Sequence, residues 1–349
     1  MVAMRHGLVR GLSMCSRAQP QGVGSLPFGT AYHVPVVCKE VIEWLVTDPD
    51  GLYIDGTLGG GGHSAALLEA LGQGGRVVGL DRDPAALETA SNRLHQQIQL
   101  KRFWPGEGNF AQMREALGNC PMIDKQVRAP GPISGIADGV LLDLGVSSRQ
   151  LDDRGRGFSF KDDGPLDMRM EGMQGSGFTA AELCNMLDET ELRNILYRLG
   201  EEKRSTRLAR AIIAARPLVT TAQLTAVVRD AVPFKDEKKT LTRVFQALRI
   251  QVNGELEALE AALDEMRCLV KEGGRVVVLS YHSLEDRRVK RTLATGNLYN
   301  KVEKDSFGNK MSPWKALTRK PIMAGEEEIS LNPRARSVRM RVAERTSVH

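Results

Sequence analysis

Apolar residues fall in short runs that alternate with helical patterns in the first half of the chain. The runs at 51–55, 75–83 and 137–145 are short and bounded by glycine or acid, as buried strands are. Helical patterns follow the first two runs, at 63–72 and 84–94, and the second begins with a proline, which first helical turns favour. This order predicts a parallel sheet with helices on both faces.

The three predicted strands carry an aspartate at or near their ends, namely Asp55, Asp81 and Asp143. Ligands of open parallel sheets bind in the crevice outside the carboxyl ends of the strands. We therefore expect the ligand site of this protein to lie at these three residues.

The next buried strand lies at 274–283, about 130 residues after Asp143, and this separation is far longer than a usual crossover. Most of the intervening sequence is helical by pattern. We predict an inserted all-helical domain at 155–240, between the two parts of one domain at 31–154 and 241–349.

Composition and charge are those of a globular protein with a basic C-terminal third. The chain has 349 residues, of which 42% are apolar, and a net charge of +5. Residues 286–349 hold 15 Lys or Arg against 7 Asp or Glu. This surplus suits a nucleic acid partner or, equally, a solvated basic face. The alternating arginines of 332–342 predict an edge strand with a basic side.

The N-terminal segment differs from the rest. Residues 1–38 contain no Asp or Glu, whereas Arg5, Arg10 and Arg17 are spread among serine, glycine and apolar residues. This pattern is typical of an organelle transit peptide. An irregular bacterial N-terminus or a misassigned start codon is the alternative. We exclude 1–30 from the predicted fold.

Other classes of protein are disfavoured by what the sequence lacks. No apolar run approaches the roughly 20 residues that span a bilayer, so no membrane partner is predicted. Five scattered cysteines without a C-x-x-C pair predict thiols in a reducing compartment, and neither a disulfide frame nor a metal site.

The stretch YIDGTLGGGGHS at 53–64 is a glycine loop between a strand and a helix, which directs backbone N–H groups at a ligand. A Walker loop would need Lys where His63 stands, and the glycine spacing does not fit a dinucleotide fold. An acid before the loop, Asp55, and another after the next strand, Asp81, suit S-adenosylmethionine, which offers ribose hydroxyls and has no pyrophosphate. A structural turn is the alternative.

Two further segments carry candidate chemistry. The loop at 156–170 is dense in charge, glycine and phenylalanine, and loops at the end of a rigid sheet often carry function. His282 follows the 274–283 strand and is a candidate proton acceptor, base-stacking group or structural histidine. Arg287 and Arg288 follow it, either as phosphate contacts or on a solvated helix face.

Taken together, these motifs resemble one family. The resemblance covers 33–37 to about Thr346 and rests on YIDGTLGGGGHS, LDRDP, LLDLGVSSRQLDDRGRGFSF, DGPLDMRM, TRVFQALRIQVNGELEALE, GGRVVVLSYHSLEDRRVKR and NPRARS. They occur in this order in the MraW/RsmH family of small-subunit rRNA (cytosine-N4)-methyltransferases, some of whose organellar members carry targeting extensions. The segment between Asn297 and Pro321 matches poorly.

The resemblance implies a Rossmann-like class I S-adenosylmethionine methyltransferase fold, α/β, with the helical domain inserted. It implies S-adenosyl-L-methionine as cofactor and, as partner, small-subunit ribosomal RNA or the assembling small subunit, methylated at N4 of a cytidine in the decoding region. By position, it implies cofactor contacts at Gly61, Gly62, His63, Asp81, Phe110, Asp143 and Gln150. We expect Asp143, alone or with backbone carbonyls, to accept from N4.

Several alternatives remain open from sequence. A non-catalytic assembly factor that retains the fold would bind cofactor without transferring methyl, and chemistry alone does not exclude a DNA or protein methyltransferase. The N-terminus favours a mitochondrion, with a plastid or the bacterial cytoplasm as alternatives. The oligomeric state is open, a dimer included.

Overall fold

A single central sheet organises the structure, a computed structural model that describes residues 35–123, 135–172, 175 and 177–348. The predicted transit segment at 1–30 lies outside the described residues. The strands are β1 (Leu52–Asp55), β2 (Arg76–Asp81), β3 (Phe103–Glu107), β4 (Ala137–Asp143), β5 (Val270–Ser280), β6 (Glu303–Lys304), β7 (Lys310–Met311), β8 (Trp314–Ala316) and β9 (Arg339–Arg345).

Seven strands form the central sheet, in the order β3-β2-β1-β4-β5-β9-β8, and β6 and β7 form a separate hairpin. Strands β1 to β5 pair in parallel, whereas β9 is antiparallel to β5 and β8 is antiparallel to β9. This arrangement confirms the predicted Rossmann-like α/β fold. Asp55, Asp81 and Asp143 end β1, β2 and β4, as the sequence predicted.

The edge strand predicted at 332–342 is wrong in two respects. Its first part is a 3-10 turn at Pro333–Ser337, and strand β9 begins only at Arg339. Strand β9 is also internal, because β8 pairs along its outer side, with Trp314 opposite Arg345. The sequence signal of β8 is only three residues long, which is too short for an alternating pattern to identify.

Helices cover both faces of the sheet and form a separate cluster beside it. They are α1 (Cys38–Leu45), α2 (Gly62–Ala70), α3 (Pro84–Arg93), α4 (His95–Gln99), α5 (Met113–Gly118), α6 (Ser148–Asp152), α7 (Ala180–Met186), α8 (Glu189–Arg198), α9 (Ser205–Ala214), α10 (Thr221–Ala231), α11 (Glu237–Asn253), α12 (Glu255–Leu269), α13 (Ser283–Thr295) and α14 (Glu326–Leu331).

Alternate residues of each strand point to opposite faces of the sheet, so each face has its own core. Ile54 and Val140 pack on one face with α5, α12 and α13, and Tyr53 and Leu141 pack on the other with α1, α2 and α3. All four side chains are fully buried. The strand ends are therefore held on a rigid platform, which fixes the loops that follow them.

A third core lies mainly among helices. It is built from α7 to α10, inside the predicted insertion at 155–240, together with the buried face of α11. Helix α11 contributes Leu241, Val244 and Leu248 to it. Helix α8 starts at a capping box in which Asp188 accepts from the backbone N–H of Glu191. The exact division of the chain into domains stays a prediction.

The helical cluster should respond to truncation as a close-packed core does. Leu196 on α8 is fully buried there, and Leu196→Ala should lower the free energy of unfolding by about 2–5 kcal/mol through lost contacts and a cavity. Urea unfolding followed by circular dichroism measures this. Met186→Ala on α7, at a side chain that is 68% exposed, is the control and should change it by less than about 0.5 kcal/mol. Equal effects at the two positions would contradict the close packing.

Candidate active site

The loop between β1 and α2 is hydrogen-bonded to both strands that flank β1. Gly56 donates its backbone N–H to the carbonyl of Leu141 on β4, at 2.9 Å. Gly59 donates its backbone N–H to Oδ2 of Asp81 at the end of β2, at 2.8 Å. Gly59 has φ +50, in the left-handed region that glycine adopts at low cost. The loop is thus fixed across three strand ends, which excludes a flexible linker.

Asp55 lies beneath this loop and anchors it. Its side chain is 1% exposed, accepts the hydroxyl of Ser64 at 2.7 Å and accepts the backbone N–H of Thr57 at 3.2 Å. Burial raises the pKa of Asp55, and nearby His63 and the Ser64 hydroxyl oppose that rise. Asp55 is not among the cavity-lining residues and supports the loop from below.

A cavity of about 420 Å³ runs along the carboxyl ends of the parallel strands. Its volume is in the range of small-molecule sites. The residues that line it include Gly56, Thr57, Gly59, Asp81, Arg82, Ala86, Asn109, Phe110, Asp143, Gly145, Gln150, Met170, Thr242, Arg249, Tyr281, Asn332, Arg334 and Ser337.

Four of the seven residues predicted as cofactor contacts line this cavity: Asp81, Phe110, Asp143 and Gln150. The other three, Gly61, Gly62 and His63, do not. A Cβ on Gly61 would lie 3.2 Å from the Cβ of Ala90, so this glycine permits close packing against α3. Gly56, Thr57 and Gly59 line the cavity instead, earlier in the same loop.

Asp81 offers the cavity a carboxylate from the end of β2. Its Oδ1 accepts the backbone N–H of Asp83 at 2.9 Å, and its Oδ2 accepts that of Gly59. Burial raises the pKa of Asp81 to about 6, against the effect of these two hydrogen bonds, and the charges of Asp83 and Asp55 add to the rise. A ligand that donates hydrogen bonds to this carboxylate would favour its ionised form.

Asp143 lines the cavity, and its carboxylate stands between His63 and Tyr281. Its Oδ1 accepts the Tyr281 hydroxyl at 2.7 Å, and its Oδ2 lies 3.6 Å from Nδ1 of His63, whose Nε2 donates to the Val36 carbonyl at 3.0 Å. Its backbone N–H donates to the Thr57 hydroxyl at 2.6 Å. Burial raises the pKa of Asp143, whereas His63 and the Tyr281 hydroxyl lower it.

Gln150 and Phe110 flank the end of the cavity near β2 and β3. Gln150 closes a capping box with Ser147 at the start of α6 and donates Nε2 to Oδ2 of Asp83 at 3.2 Å. Phe110 opens a 3-10 turn after β3 and is capped by Asn109. Gln150 therefore stiffens the site as well as lining it.

The basic residues after β5 are engaged within the protein. Nε2 of His282 lies 3.1 Å from Oε1 of Glu285, inside the fold. Arg287 pairs with Glu201 and Arg288 with Glu260, at 3.1 and 2.6 Å. In the segment 156–170, Phe158, Leu166 and Met168 are buried in the helical cluster, so their spacing reflects packing.

Sequence reasoning missed Arg249 and Tyr281. Both line the cavity, yet they lie 106 and 138 residues after Asp143 in the chain. Arg249 stands in an amphipathic run that reads simply as helix. Tyr281 lies near the end of the predicted strand at 274–283, a signal that could have found it, whereas only the tertiary fold brings Arg249 to the strand ends.

The cavity fits S-adenosylmethionine by the chemistry of its donors. Asp81 presents a carboxylate to sugar hydroxyls, and Phe110 presents an aromatic face to a purine. Asp143 and Asp81 are the acids among the lining residues, and they suit the positive charges of a sulfonium and an ammonium group.

In the described part of the chain, no helix has the length and apolar character needed to cross a membrane.

Comparison with known proteins shows the family of the chain. The model of the MraW methylase family matches residues 30–346. A protein of Bacteroides fragilis named "Ribosomal RNA small subunit methyltransferase H" is 42% identical over 90% of this chain and 98% of its own length. Those of Acidobacterium capsulatum and Geobacter sulfurreducens are 44% and 43% identical over 90% of this chain and 98% and 99% of their own. The family confirms S-adenosyl-L-methionine as the cofactor. The chain belongs to the MraW methylase family.

Proposed function

We propose that the protein methylates N4 of a cytidine in the decoding region of small-subunit ribosomal RNA. The observation that carries the proposal is Asp143, a carboxylate that lines the same cavity as Asp81 and Phe110, which suit S-adenosylmethionine. The names of the bacterial relatives supply the class of RNA. The basic C-terminal third agrees with a polyanionic partner.

The residues that would hold the cofactor are Asp81, for the ribose hydroxyls, Phe110, for the adenine, and Asp143, toward the amino-acid end. When bound, S-adenosylmethionine supplies a methyl group on a positively charged sulfur. Burial disfavours the ionised forms of Asp81 and Asp143, so a cationic ligand would gain more from them here than in water.

Asp143 would act on the acceptor. The lone pair of cytosine N4 is delocalised into the ring, so the nitrogen becomes positively charged only as its new bond to carbon forms. A carboxylate that accepts from the amino group stabilises that charge. Tyr281 and His63 face the two oxygens of Asp143 and fix its orientation, which holds acceptor and donor in line.

Removing the charge of Asp143 should abolish methylation. Asp143→Asn keeps an oxygen for the Tyr281 hydroxyl but accepts from N4 more weakly, so we expect kcat to fall by about 100-fold or more. The measurement is mass-spectrometric mapping of N4-methylcytidine in small-subunit RNA from cells that lack the protein, complemented with wild type or variant.

Asp264→Asn is the matched control, because this aspartate on α12 is 67% exposed and lies away from the cavity. It should restore methylation fully. A cytidine modification that does not change when the protein is removed would refute the proposed function. Near-normal turnover of Asp143→Asn at saturating cofactor would refute the role of Asp143. Cofactor binding without methyl transfer would instead favour a non-catalytic assembly factor.

Cofactor affinity should depend on pH through Asp81. The pKa of this carboxyl is about 6 in the free protein, and ribose hydroxyls donate to its ionised form. Binding therefore requires loss of the proton: the Kd of S-adenosylhomocysteine should be lowest above neutral pH and rise about tenfold for each pH unit below 6. Isothermal titration calorimetry from acidic to neutral pH measures this.

Asp81→Asn should weaken binding at neutral pH and remove most of this pH dependence. The control is Glu107→Gln, at an exposed side chain that ends the neighbouring strand β3, which should keep the wild-type profile. A wild-type Kd that stays constant across pH 6 would contradict an ionisation-linked contact at Asp81.

We propose further that the protein works in an organelle, with the mitochondrion first. The acid-free, arginine-bearing composition of residues 1–30 supports this, and the family match begins at residue 30. The full chain fused to a fluorescent protein should reach mitochondria of eukaryotic cells. The same fusion with Arg5, Arg10 and Arg17 each changed to Glu should not. Plastid fluorescence would favour the second organelle, and diffuse wild-type fluorescence would refute the proposal.

A further inference from the structure

Six of the residues that line the cavity come from α11, from the end of β5 and from the segment before β9. We call this part the acceptor end, and it is lined by Thr242, Arg249, Tyr281, Asn332, Arg334 and Ser337. Two of its six residues are arginines and none is acidic. The β2 end differs in that it holds an acid, Asp81, beside Arg82.

Arg249 is the oriented cation of the acceptor end. It donates Nε to Oε1 and Nη2 to Oε2 of Glu255, each at 2.8 Å, and its side chain is 16% exposed. Burial acts to lower the pKa of Arg249, but Glu255 outweighs it, so the pKa lies above its ordinary value. Within the described residues Nη1 has no hydrogen-bond partner. The charged, planar guanidinium of Arg249 thus has N–H groups that remain available to a ligand in the cavity.

Behind Arg249 lies a buried acidic cluster that holds it in place. Ligand atoms of Glu255, His282 and Glu285 lie within 4.8 Å of one another, as in a cation site. The guanidinium already takes both oxygens of Glu255, and Glu285 lies 3.1 Å from Nε2 of His282. We assign this cluster to the orientation of Arg249, since a metal ion here would compete with the bidentate pair.

The chemistry of Arg249 matches one edge of one base. Cytosine presents two acceptors, O2 and N3, beside the N4 amino group, whereas uracil presents an N3–H donor at the same position. A guanidinium donates and cannot accept. A base whose O2 and N3 faced Arg249 would direct its amino group along the same edge, toward Asp143.

We propose that the acceptor end is the base subsite, and that Arg249 reads the O2 and N3 acceptors of an unpaired or flipped-out cytosine while N4 faces Asp143. The inference rests on the proposed function and adds to it the residue that selects the base. Arg334 is the more exposed cation there, 41% exposed and paired with Asp152 at 2.6 Å, and it is assigned to a backbone phosphate.

The test measures binding without turnover. Three short oligouridylates carry cytosine, pyrimidin-2-one or uracil as the central base, and their Kd values are measured by fluorescence anisotropy at saturating S-adenosylhomocysteine. Pyrimidin-2-one keeps O2 and N3 but has no amino group. The strands with cytosine and pyrimidin-2-one should bind about tenfold or more tightly than the uracil strand.

Variants test whether Arg249 causes the difference in Kd among the three strands. Arg249→Lys keeps the charge but loses the planar fork, so the three Kd values should converge. Arg243→Lys, on the same helix and paired with Glu202 at 3.3 Å, does not line the cavity and should keep the ranking. Arg334→Ala should weaken all three strands by one common factor and reduce the salt dependence of binding.

Two outcomes overturn the inference. One is a wild-type protein that binds the uracil strand as tightly as the cytosine strand, which decides the matter even if Arg249→Lys does not fold. The other is an Arg249→Lys variant that keeps the ranking together with wild-type thermal stability and affinity for S-adenosylhomocysteine. This experiment measures binding and not methyl transfer. The order of the three Kd values can therefore be as expected even if mapping finds no N4-methylcytidine, so the base subsite and the proposed function are tested separately.

Discussion

The hydrogen bonds that fix the β1–α2 loop to β2 and β4 are the constraint on which the rest of the site depends. Gly59 donates to Asp81, and Asp143 donates its backbone N–H to Thr57, so one loop connects the two acids that line the cavity. Each bond requires a parallel neighbour on its own side of β1, because only parallel strands end at the same edge. A shift of either strand by one residue would exchange the side chains that enter the two cores and break these contacts together.

This dependence explains how far the sequence predicts the site. Strand ends follow from apolar runs and terminal acids, so Asp81 and Asp143 are predictable, and the loop is recognisable from its glycines. The sequence does not predict which glycine faces the cavity, because Gly59 and Gly61 differ only in their surroundings. Gly59 donates a hydrogen bond to Asp81, whereas Gly61 packs against Ala90. Arg249 is not predictable either. An ion pair between Arg249 and Glu255 could equally well stabilise the junction of two helices, so the sequence alone does not mark Arg249 as a residue of the site.

The buried acids destabilise this arrangement, and the same burial strengthens their interaction with a charged ligand. The pKa values of Asp55, Asp81 and Asp143 are all raised, and burial is the first cause for each. Such groups are tolerated because backbone N–H groups, hydroxyls and His63 offset part of the desolvation. Asp55 is satisfied entirely within the protein, whereas Asp81 and Asp143 keep access to the cavity. The acids therefore divide into one that stabilises the loop and two that can act on ligands.

Helix α11 connects the helical cluster to this chemistry. Leu241, Val244 and Leu248 bury one face of it in that cluster, while Thr242 and Arg249, seven residues apart, present another face to the cavity. That spacing is about two helical turns, which brings the two residues onto one line along the helix. The position of Arg249 relative to Asp143 is therefore set by packing of the helical cluster as well as by Glu255. Movement of that cluster against the sheet would therefore move Arg249 relative to Asp143 and change the width of the acceptor end. This gives the inserted helices a direct physical route to control over the acceptor.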